Sequence, residues 1–221
     1  LNDKTNYAWI GGSSDDLQYT FTIAKAPLTV TANAKTITYG AAPANAGVEY
    51  KGFVNGETEA ALTGTLSYSY DYEQYGDVGT YTITPAGLSS NNYEITFVNG
   101  TLTVEQKEIG IEWGNTDLTY SGEAQAPTAT ATGAVNGDVL TLTVTGAQMN
   151  ASADAYTATV TAITGEKSEN YSLPSVATAE FTIAKATQAA PVVVGVNETV
   201  FAKNDGKITD VTNAMEYSVD G

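Results

Sequence analysis

One six-residue phrase occurs twice in the chain and constrains its organisation. Residues 21–26 and 181–186 both read FTIAKA, and residues 102–107 read LTVEQK, a looser copy. In each copy bulky apolar residues occupy alternate positions, the period of a half-buried strand. The spacing from Ile23 to Val104 is 81 residues (104 − 23), and from Val104 to Ile183 it is 79 (183 − 104). We interpret the phrase as the last strand of one module running into the next, in a tandem array of modules of roughly 80 residues.

Other landmarks recur at the same offset and predict the domain boundaries. The sequence VNGE at residues 54–57 returns as VNGD at residues 135–138, which is 81 residues later (135 − 54), and Tyr39 returns as Tyr120 (120 − 39 = 81). We expect residues 1–25 to be the C-terminal strands of a preceding module. Residues 26–105 would be a first complete module, residues 106–186 a second, related one, and residues 187–221 the truncated start of a third.

Short alternating runs joined by Gly and Asn turns predict an all-β fold. The longest run is residues 65–72, and Asn99-Gly100 predicts a two-residue hairpin turn before the closing strand. We expect tandem immunoglobulin-like β-sandwich modules. Residues 57–62 have the composition of a single helical turn. A longer helix there would favour the alternative, a β-grasp-like first module.

These motifs resemble a known family. The Tyr39-Gly40-Ala41 turn, residues 52–57 (GFVNGE), residues 79–81 (GTY) and residues 91–93 (NNY) followed by residues 102–104 (LTV) are similar to MBG domains. Those are mostly-beta, glycine-rich repeats of large bacterial cell-surface, adhesin-like proteins. The resemblance covers the first module and implies a surface-exposed structural repeat without catalytic residues. The second module departs from the pattern at Tyr120-Ser121-Gly122, so we treat it as a relative.

The charge and composition of the chain restrict its partners. The chain has 25 acidic and nine basic residues, a net charge of −16, and all nine basic residues are lysine. We expect no nucleic-acid partner and no membrane insertion, because phosphate binding needs a dense cationic surface and no apolar run reaches the length of a membrane span. The expected partners are neighbouring modules of the same chain, with a glycan or host surface protein as an alternative. We expect a monomer.

Residue types exclude several kinds of catalytic and metal site. Histidine and cysteine are absent, so Ser-His-Asp triads, Cys-His pairs and typical zinc sites cannot form. We therefore expect no enzyme and no cofactor. Calcium is the one cofactor with some support, because Asp15-Asp16, Asp71 with Glu73, and Asn204-Asp205-Gly206 place oxygen ligands in turns. Acidic and amide side chains also favour turns without any metal, and this is the preferred explanation.

The tyrosines are the strongest candidates for ligand contact. Tyr68 and Tyr70 alternate with Leu66, which favours a core face, whereas Tyr72 and Tyr75 lie nearer a loop and are the tentative ligand-contact residues. Exposed aromatic rings can stack on sugars or on a protein partner. Trp113 alternates with Ile109 and Ile111 and is expected in a core.

These observations favour a structural role over binding. We expect a non-catalytic spacer or stalk repeat of a large bacterial surface protein, extracellular and on the cell surface or cell wall, that supports adhesion. The first alternative is an adhesin module that binds a glycan or host protein through exposed aromatic residues and loops. The second alternative is an accessory module of a secreted enzyme.

Overall fold

The chain is all-β in a computed structural model that describes residues 3–12, 20–189, 194–196 and 207–209. By its contacts it divides into two compact units. The first comprises Leu1–Gly110, Ala131–Thr141 and Ile163–Ser175, and the second comprises Ile111–Thr130, Leu142–Ala162 and Val176–Gly221. The predicted module boundaries stay predictions.

The first unit contains two sheets built from residues 26–105. Their seven strands are β1 (Ala26–Ala32), β2 (Lys35–Thr38), β3 (Val48–Lys51), β4 (Thr63–Tyr70), β5 (Gly79–Ser89), β6 (Tyr93–Val98) and β7 (Gly100–Glu105). One sheet has the order β3-β1-β6 and the other β2-β7-β5-β4. The pairs β1–β6 and β2–β7 are parallel, whereas β1–β3, β4–β5 and β5–β7 are antiparallel.

The predicted hairpin at Asn99-Gly100 is wrong, because the chain changes sheets there. β6 pairs with β1 in one sheet, and β7 pairs with β2 and β5 in the other. Gly100 passes so close to the end of β1 that a Cβ atom on it would lie 2.5 Å from the Ala32 carbonyl oxygen. A glycine is therefore needed for this close backbone approach.

The alternating pattern of the strands supplies the core of the first unit. Leu28 and Val30 of β1 and Tyr93 of β6 are buried together, and Leu88 of β5 packs against them, as do residues from the other strands and loops: Ala26, Val48, Tyr50, Phe53, Leu62, Ile95 and Phe97. Residues at every second position of a strand share one face, so a few apolar side chains on each strand are enough to build this core.

A second set of strands, in residues 107–184, repeats the strand order of residues 26–105. Its strands are β8 (Lys107–Glu108), β9 (Gly110–Gly114), β10 (Asp117–Thr119), β11 (Thr128–Thr132), β12 (Thr141–Thr145), β13 (Ser152–Thr164), β14 (Tyr171–Ser172) and β15 (Thr178–Ala184). The order β10-β15-β13-β12 matches β2-β7-β5-β4, and the pairs β11-β9 and β14-β8 together match β3-β1-β6. In the second unit, Ala158, Phe181 and Ile183 are buried against Trp113, Leu118, Val144, Ala151 and Tyr156.

The single helical turn predicted for residues 57–62 is confirmed as a 3₁₀ helix, Glu59–Ala61. The Thr58 hydroxyl accepts a hydrogen bond from the Ala60 amide at 3.4 Å, which caps its first turn. Three residues cannot cover a sheet, so the longer helix that the β-grasp alternative requires is not formed.

Two identical hexapeptides have opposite environments. In residues 181–186, Ile183 is 0% exposed within β15, which pairs with β10 and β13. In residues 21–26, Ile23 is 86% exposed, and residues 20–25 form no strand. The strand predicted at Phe21 therefore does not form, because pairing rather than local propensity determines whether these residues become a strand.

Beyond residue 189 the structure describes two short strands. They are β16 (Val194–Val196) and β17 (Lys207–Thr209), and they pair antiparallel. The remaining residues of the predicted third module lie outside the described part of the chain. Among the described residues, no helix is long and apolar enough to cross a membrane.

The two hexapeptides provide a matched test of burial. We expect Ile183→Ala to lower the free energy of unfolding by about 2–5 kcal/mol, because it removes a buried side chain and leaves a cavity. Ile23→Ala should change it by no more than about 0.5 kcal/mol, since exposed positions contribute little. Urea denaturation of both variants measures the difference, and equal losses would show that residues 21–26 are buried in solution.

Candidate functional site

A tight turn at Val135–Asp138 holds the buried hydroxyl of Tyr171 in the first unit. Asn136 and Gly137 both adopt positive φ (56° and 77°), and the Asp138 amide bonds to the Val135 carbonyl at 3.0 Å. The Val135 amide donates to the Tyr171 hydroxyl at 3.0 Å. That hydroxyl in turn donates to the Asp138 carboxylate at 2.7 Å. A buried hydroxyl needs such partners, because losing water without replacement is costly. We call these residues the joint clamp.

Tyr39 of the first module completes this cluster. Its hydroxyl donates to the same Asp138 oxygen, Oδ2, at 2.9 Å. Its ring meets the Tyr171 ring edge to face, with centroids 5.3 Å apart, a geometry that adds attraction beyond the buried area. Burial, followed by the hydrogen bond to Asp138, raises the pKa of both Tyr39 and Tyr171 well above the ordinary tyrosine range. Both hydroxyls therefore stay protonated as donors at neutral pH.

Gly40 allows Tyr39 to reach the joint clamp. It has a φ of +90°, which favours glycine. A Cβ atom on Gly40 would lie only 2.9 Å from the Cγ2 atom of Val135. The Tyr-Gly pair of the first module thus fits the joint clamp through a hydroxyl that bonds and a missing side chain that leaves room.

A second polar group, close by in sequence, joins the same two segments. The Asn170 amide nitrogen donates to Asp77 Oδ1 at 2.7 Å, and the Asn170 carbonyl oxygen accepts from the Val78 amide at 2.8 Å. Asn170 is buried, and both ends of its side chain are satisfied. Lys167 also donates to Asp77 Oδ1, at 2.8 Å. Hydrogen bonds from Lys167 first, and then from Asn170, hold the pKa of the Asp77 carboxyl below its usual value.

Backbone contacts link residues 105–109 to the same region. Strand β8 pairs with β14, with Lys107 opposite Tyr171, and the Ile109 amide bonds to the Ser172 carbonyl at 3.0 Å. The Gln106 side chain donates to the Glu169 carbonyl at 2.9 Å. We refer to the joint clamp, Tyr39, Gly40, the Asp77–Asn170 group and these strands together as the joint.

Typical free-energy contributions show which of these interactions stabilise the joint most. The Lys167 and Asp77 side chains are 40% and 61% exposed, and an exposed ion pair contributes about 0–1 kcal/mol. Hydrogen bonds to charged groups away from water contribute about 1.5–3 kcal/mol each. The tyrosine hydroxyls and Asn170 therefore stabilise the joint more than the ion pair does. What these contacts can do is hold two segments together.

The structure separates the two tentative ligand-contact residues. Tyr72 is 2% exposed, donates to the Ala41 carbonyl at 3.1 Å, and packs edge to face on Tyr81 at 4.9 Å. The prediction that Tyr72 is exposed is therefore wrong: the strand pattern that buries Tyr68 and Tyr70 continues past the end of β4. Tyr75 is exposed and has a positive φ of 69°. Contact of Tyr75 with a ligand stays a prediction.

The other aromatic predictions are confirmed. Leu66, Tyr68 and Tyr70 are partly buried, whereas Ser67 and Ser69 are exposed. Trp113 packs against the core of the second unit. These rings are components of sheet faces, so they do not form an exposed aromatic platform.

The calcium hypothesis stays untested. Asp71 accepts a hydrogen bond from the Thr82 amide at 2.5 Å, the role that a turn residue often has. Within the described ranges, no group of three or more acidic, histidine or cysteine side chains is placed to hold a metal ion. Asp15-Asp16 and Asn204-Asp205-Gly206 lie outside the described residues.

Sequence reasoning did not find the joint, although its parts were visible as separate landmarks. Residues 135–138 were interpreted only as a repeat of residues 54–57, and Tyr171 was not linked to them. The signal was that a VNG-acid turn and an Asn-Tyr pair occur together in each module: Glu57 precedes Tyr93 by 36 residues, and Asp138 precedes Tyr171 by 33. An acid that always accompanies a buried tyrosine indicates a hydrogen-bonded pair.

Two residues that both contact Asp77 test whether the buried hydrogen bonds stabilise the joint more than the exposed ion pair does. We expect Asn170→Ala to lower the free energy of unfolding of the first unit by about 1–3 kcal/mol, because it leaves the Val78 amide without a partner. We expect Lys167→Ala to cost less than about 1 kcal/mol, because it removes only an exposed ion pair. Urea denaturation of each variant measures this. A Lys167→Ala loss as large as that of Asn170→Ala would contradict the ranking.

Comparison with known proteins finds a family match in the first part of the chain. Residues 28–103 match the family model of the MBG domain (YGX type), which confirms the predicted resemblance. No curated protein matches the chain. The matched range includes Tyr39-Gly40, which contact the joint clamp.

Proposed function

We propose, on the premise that residues 28–103 are an MBG domain of the YGX type, that this chain is part of a structural spacer. The spacer belongs to a large bacterial surface protein and holds its distal region in position for adhesion. An MBG domain is consistent with a repeat module of a surface protein. The spacer role itself is our inference from the joint.

The proposed architecture is a tandem of immunoglobulin-like sandwiches. The repeated strand order supports this, since β10-β15-β13-β12 follows β2-β7-β5-β4 element for element. The equivalent junctions also have the same register, with Ala26 opposite Tyr93 and Lys107 opposite Tyr171. Two modules with the same connections and the same junction are expected from a duplicated unit.

The observation that carries the spacer proposal is the joint. A linker without side-chain contacts leaves two modules free to reorient, and relative motion is the usual expectation for domains on one chain. Here Tyr39 and Asp77 of the first module bond to Asp138 and Asn170. Buried, satisfied polar groups fix one geometry, because every alternative arrangement leaves some of them unpaired. A module held in this way can transmit position and force along a stalk.

Composition supports an extracellular, non-catalytic role at the cell surface. The sequence has no cysteine or histidine, so the modules do not rely on disulfides and lack the most common general base. A net charge of −16 keeps an extended surface protein soluble and disfavours adsorption to anionic membranes. We propose that the chain contacts neighbouring modules and does not bind a cofactor.

The binding alternative has less support. It relied on exposed aromatic residues, and of the two tentative contacts only Tyr75 is exposed. Glycan or host-protein binding would therefore depend on Tyr75 and on loops rather than on an aromatic platform. The remaining alternative, an accessory module of a secreted enzyme, depends on what else the full-length protein carries.

Rigidity at the joint is the property that distinguishes a spacer from flexibly linked modules. Because the chain lacks cysteine, two introduced cysteines can carry spin labels without background. We place them at Val98 and Val139, which are both exposed and both in the first unit. Pulsed electron paramagnetic resonance should give a single narrow distance distribution in the native background. In a Tyr39→Ala/Asp77→Ala background the distribution should broaden, because the joint loses the hydrogen bond from Tyr39 to Asp138 and those that Asp77 accepts from Asn170 and Lys167.

The matched control for this measurement is Tyr120→Ala, which removes the equivalent, exposed tyrosine of the second module and should leave the distribution narrow. Circular dichroism establishes that each labelled variant is folded. A broad distribution in the native background, or an unchanged narrow one after both joint substitutions, would contradict the spacer proposal.

A further inference from the structure

The first module contains a second clamp with the same internal geometry as the joint clamp. Val54–Glu57 forms the turn, with Asn55 and Gly56 at positive φ (54° and 75°) and the Glu57 amide 3.0 Å from the Val54 carbonyl. The Val54 amide donates to the buried Tyr93 hydroxyl at 3.1 Å, and that hydroxyl donates to the Glu57 carboxylate. We call Val54–Glu57 with Tyr93 the upstream clamp.

The two clamps differ in what covers them. In the joint clamp, Val135 and Asp138 are partly buried beneath Tyr39 and Gly40. In the upstream clamp, Val54 is 45% exposed and Glu57 is also exposed. A groove of about 400 Å³ opens beside it, between the clamp and residues 23–26. The upstream clamp is thus complete in its internal bonds, and its outer face is open.

Residues next to the upstream clamp expose large apolar side chains. Phe21 and Ile23 are exposed, although their counterparts Phe181 and Ile183 are buried in β15. Lys25 bonds to the Ser90 carbonyl at 2.7 Å, which anchors this segment beside the clamp as Gln106 is anchored to Glu169 at the joint. Large apolar side chains gathered beside an open polar clamp indicate a surface that another protein segment covers.

We infer that the upstream clamp is a docking site for the Tyr-Gly turn of another module of the same kind, to which residues 21–25 connect the first module. This inference rests on the proposed spacer function and extends it to the upstream side of the first module. The incoming tyrosine hydroxyl donates to Glu57, as that of Tyr39 donates to Asp138. The incoming glycine packs on Val54, as Gly40 packs on Val135.

The chemistry of the clamp favours this occupant. Glu57 is exposed, so its carboxylate can accept a further hydrogen bond from a hydroxyl donor, as Asp138 accepts one from Tyr39. The space above Val135 admits a glycine, since a Cβ atom there would approach Val135 to 2.9 Å. A tyrosine followed by a glycine meets both requirements. Tethering to the same chain raises the effective concentration, so the contact needs little intrinsic affinity.

Disulfide trapping tests the inference in an extended chain. A copy of residues 26–105 replaces residues 1–24, so that the Glu105 of the copy runs into Lys25 as Glu105 runs into Gln106 in the native chain. One cysteine replaces Gly40 in the copy and another replaces Val54 in the original module. The reference is the native-length chain with Gly40→Cys and Val135→Cys, where the two Cβ positions are 3.6 Å apart, within the range for a disulfide. The control moves the second cysteine of the extended chain from Val54 to Val98, another exposed position of the same module.

We expect the Val54 cysteine to form its disulfide with the copy at least about tenfold faster than the Val98 control, because docking brings the pair together. If the reference disulfide closes but the Val54 cysteine reacts no faster than the Val98 control, the inference is overturned and the spacer proposal stands. A copy that does not fold beside the clamp gives no preference either and overturns it equally. If the reference disulfide also fails to close, the joint itself is wrong, and the proposed function falls with it.

Discussion

The joint depends on one carboxylate oxygen that accepts two tyrosine hydroxyls. Asp138 Oδ2 bonds to Tyr171, the first residue of β14, and to Tyr39, which follows β2. Each hydroxyl is buried, so leaving it without this acceptor would destabilise the fold. The turn at Val135–Asp138 holds the oxygen in place, and the Val135 amide fixes the orientation of Tyr171. Remove the carboxylate, and two buried donors lose their partner at once.

This arrangement explains why small residues recur beside large aromatic ones. Gly40 gives Tyr39 its approach to Val135, and Gly137 allows the turn that presents Asp138. In the first module, Gly56 does the same for Glu57. The glycines and the tyrosines therefore act together. The glycine backbone allows a turn that places a carboxylate within reach of a tyrosine hydroxyl. In this chain the Tyr39-Gly40 pair has a physical role, because its hydroxyl bonds to Asp138 and its glycine leaves room for Val135.

The sequence predicted those features that depend on local pattern. Alternation identified the sheet face of Leu66, Tyr68 and Tyr70, and Asn-Gly pairs identified the turns at residues 55–56 and 136–137, which the structure confirms. Features that depend on tertiary contacts could not be read in this way. Asn99-Gly100 has the composition of a hairpin turn, but the flanking strands belong to different sheets. Tyr72 follows a strand near a loop, yet it is buried, with its ring on Tyr81 and its hydroxyl bonded to the Ala41 carbonyl.

The repeated hexapeptide shows most directly that local sequence does not predict tertiary contacts. Residues 21–26 and 181–186 are identical, so any rule based on local sequence must assign them one structure. In the second copy, residues 181–184 pair with neighbouring strands and Phe181 and Ile183 are buried, whereas residues 21–25 of the first copy form no strand and Phe21 and Ile23 are exposed. The candidate site was missed for the same reason. Asp138 and Tyr39 are 99 residues apart in sequence, and no local pattern indicates that they meet.

A double-mutant cycle tests the central claim, that Tyr39 and Asp138 interact directly across the joint. The free energy of unfolding is measured for the native chain, Tyr39→Phe, Asp138→Asn and the double variant. We expect the two single losses to exceed the double loss by about 0.5–3 kcal/mol, the range for residues that share a hydrogen bond. Additive losses would show that the two residues stabilise the chain independently, and the joint described here would not exist in solution.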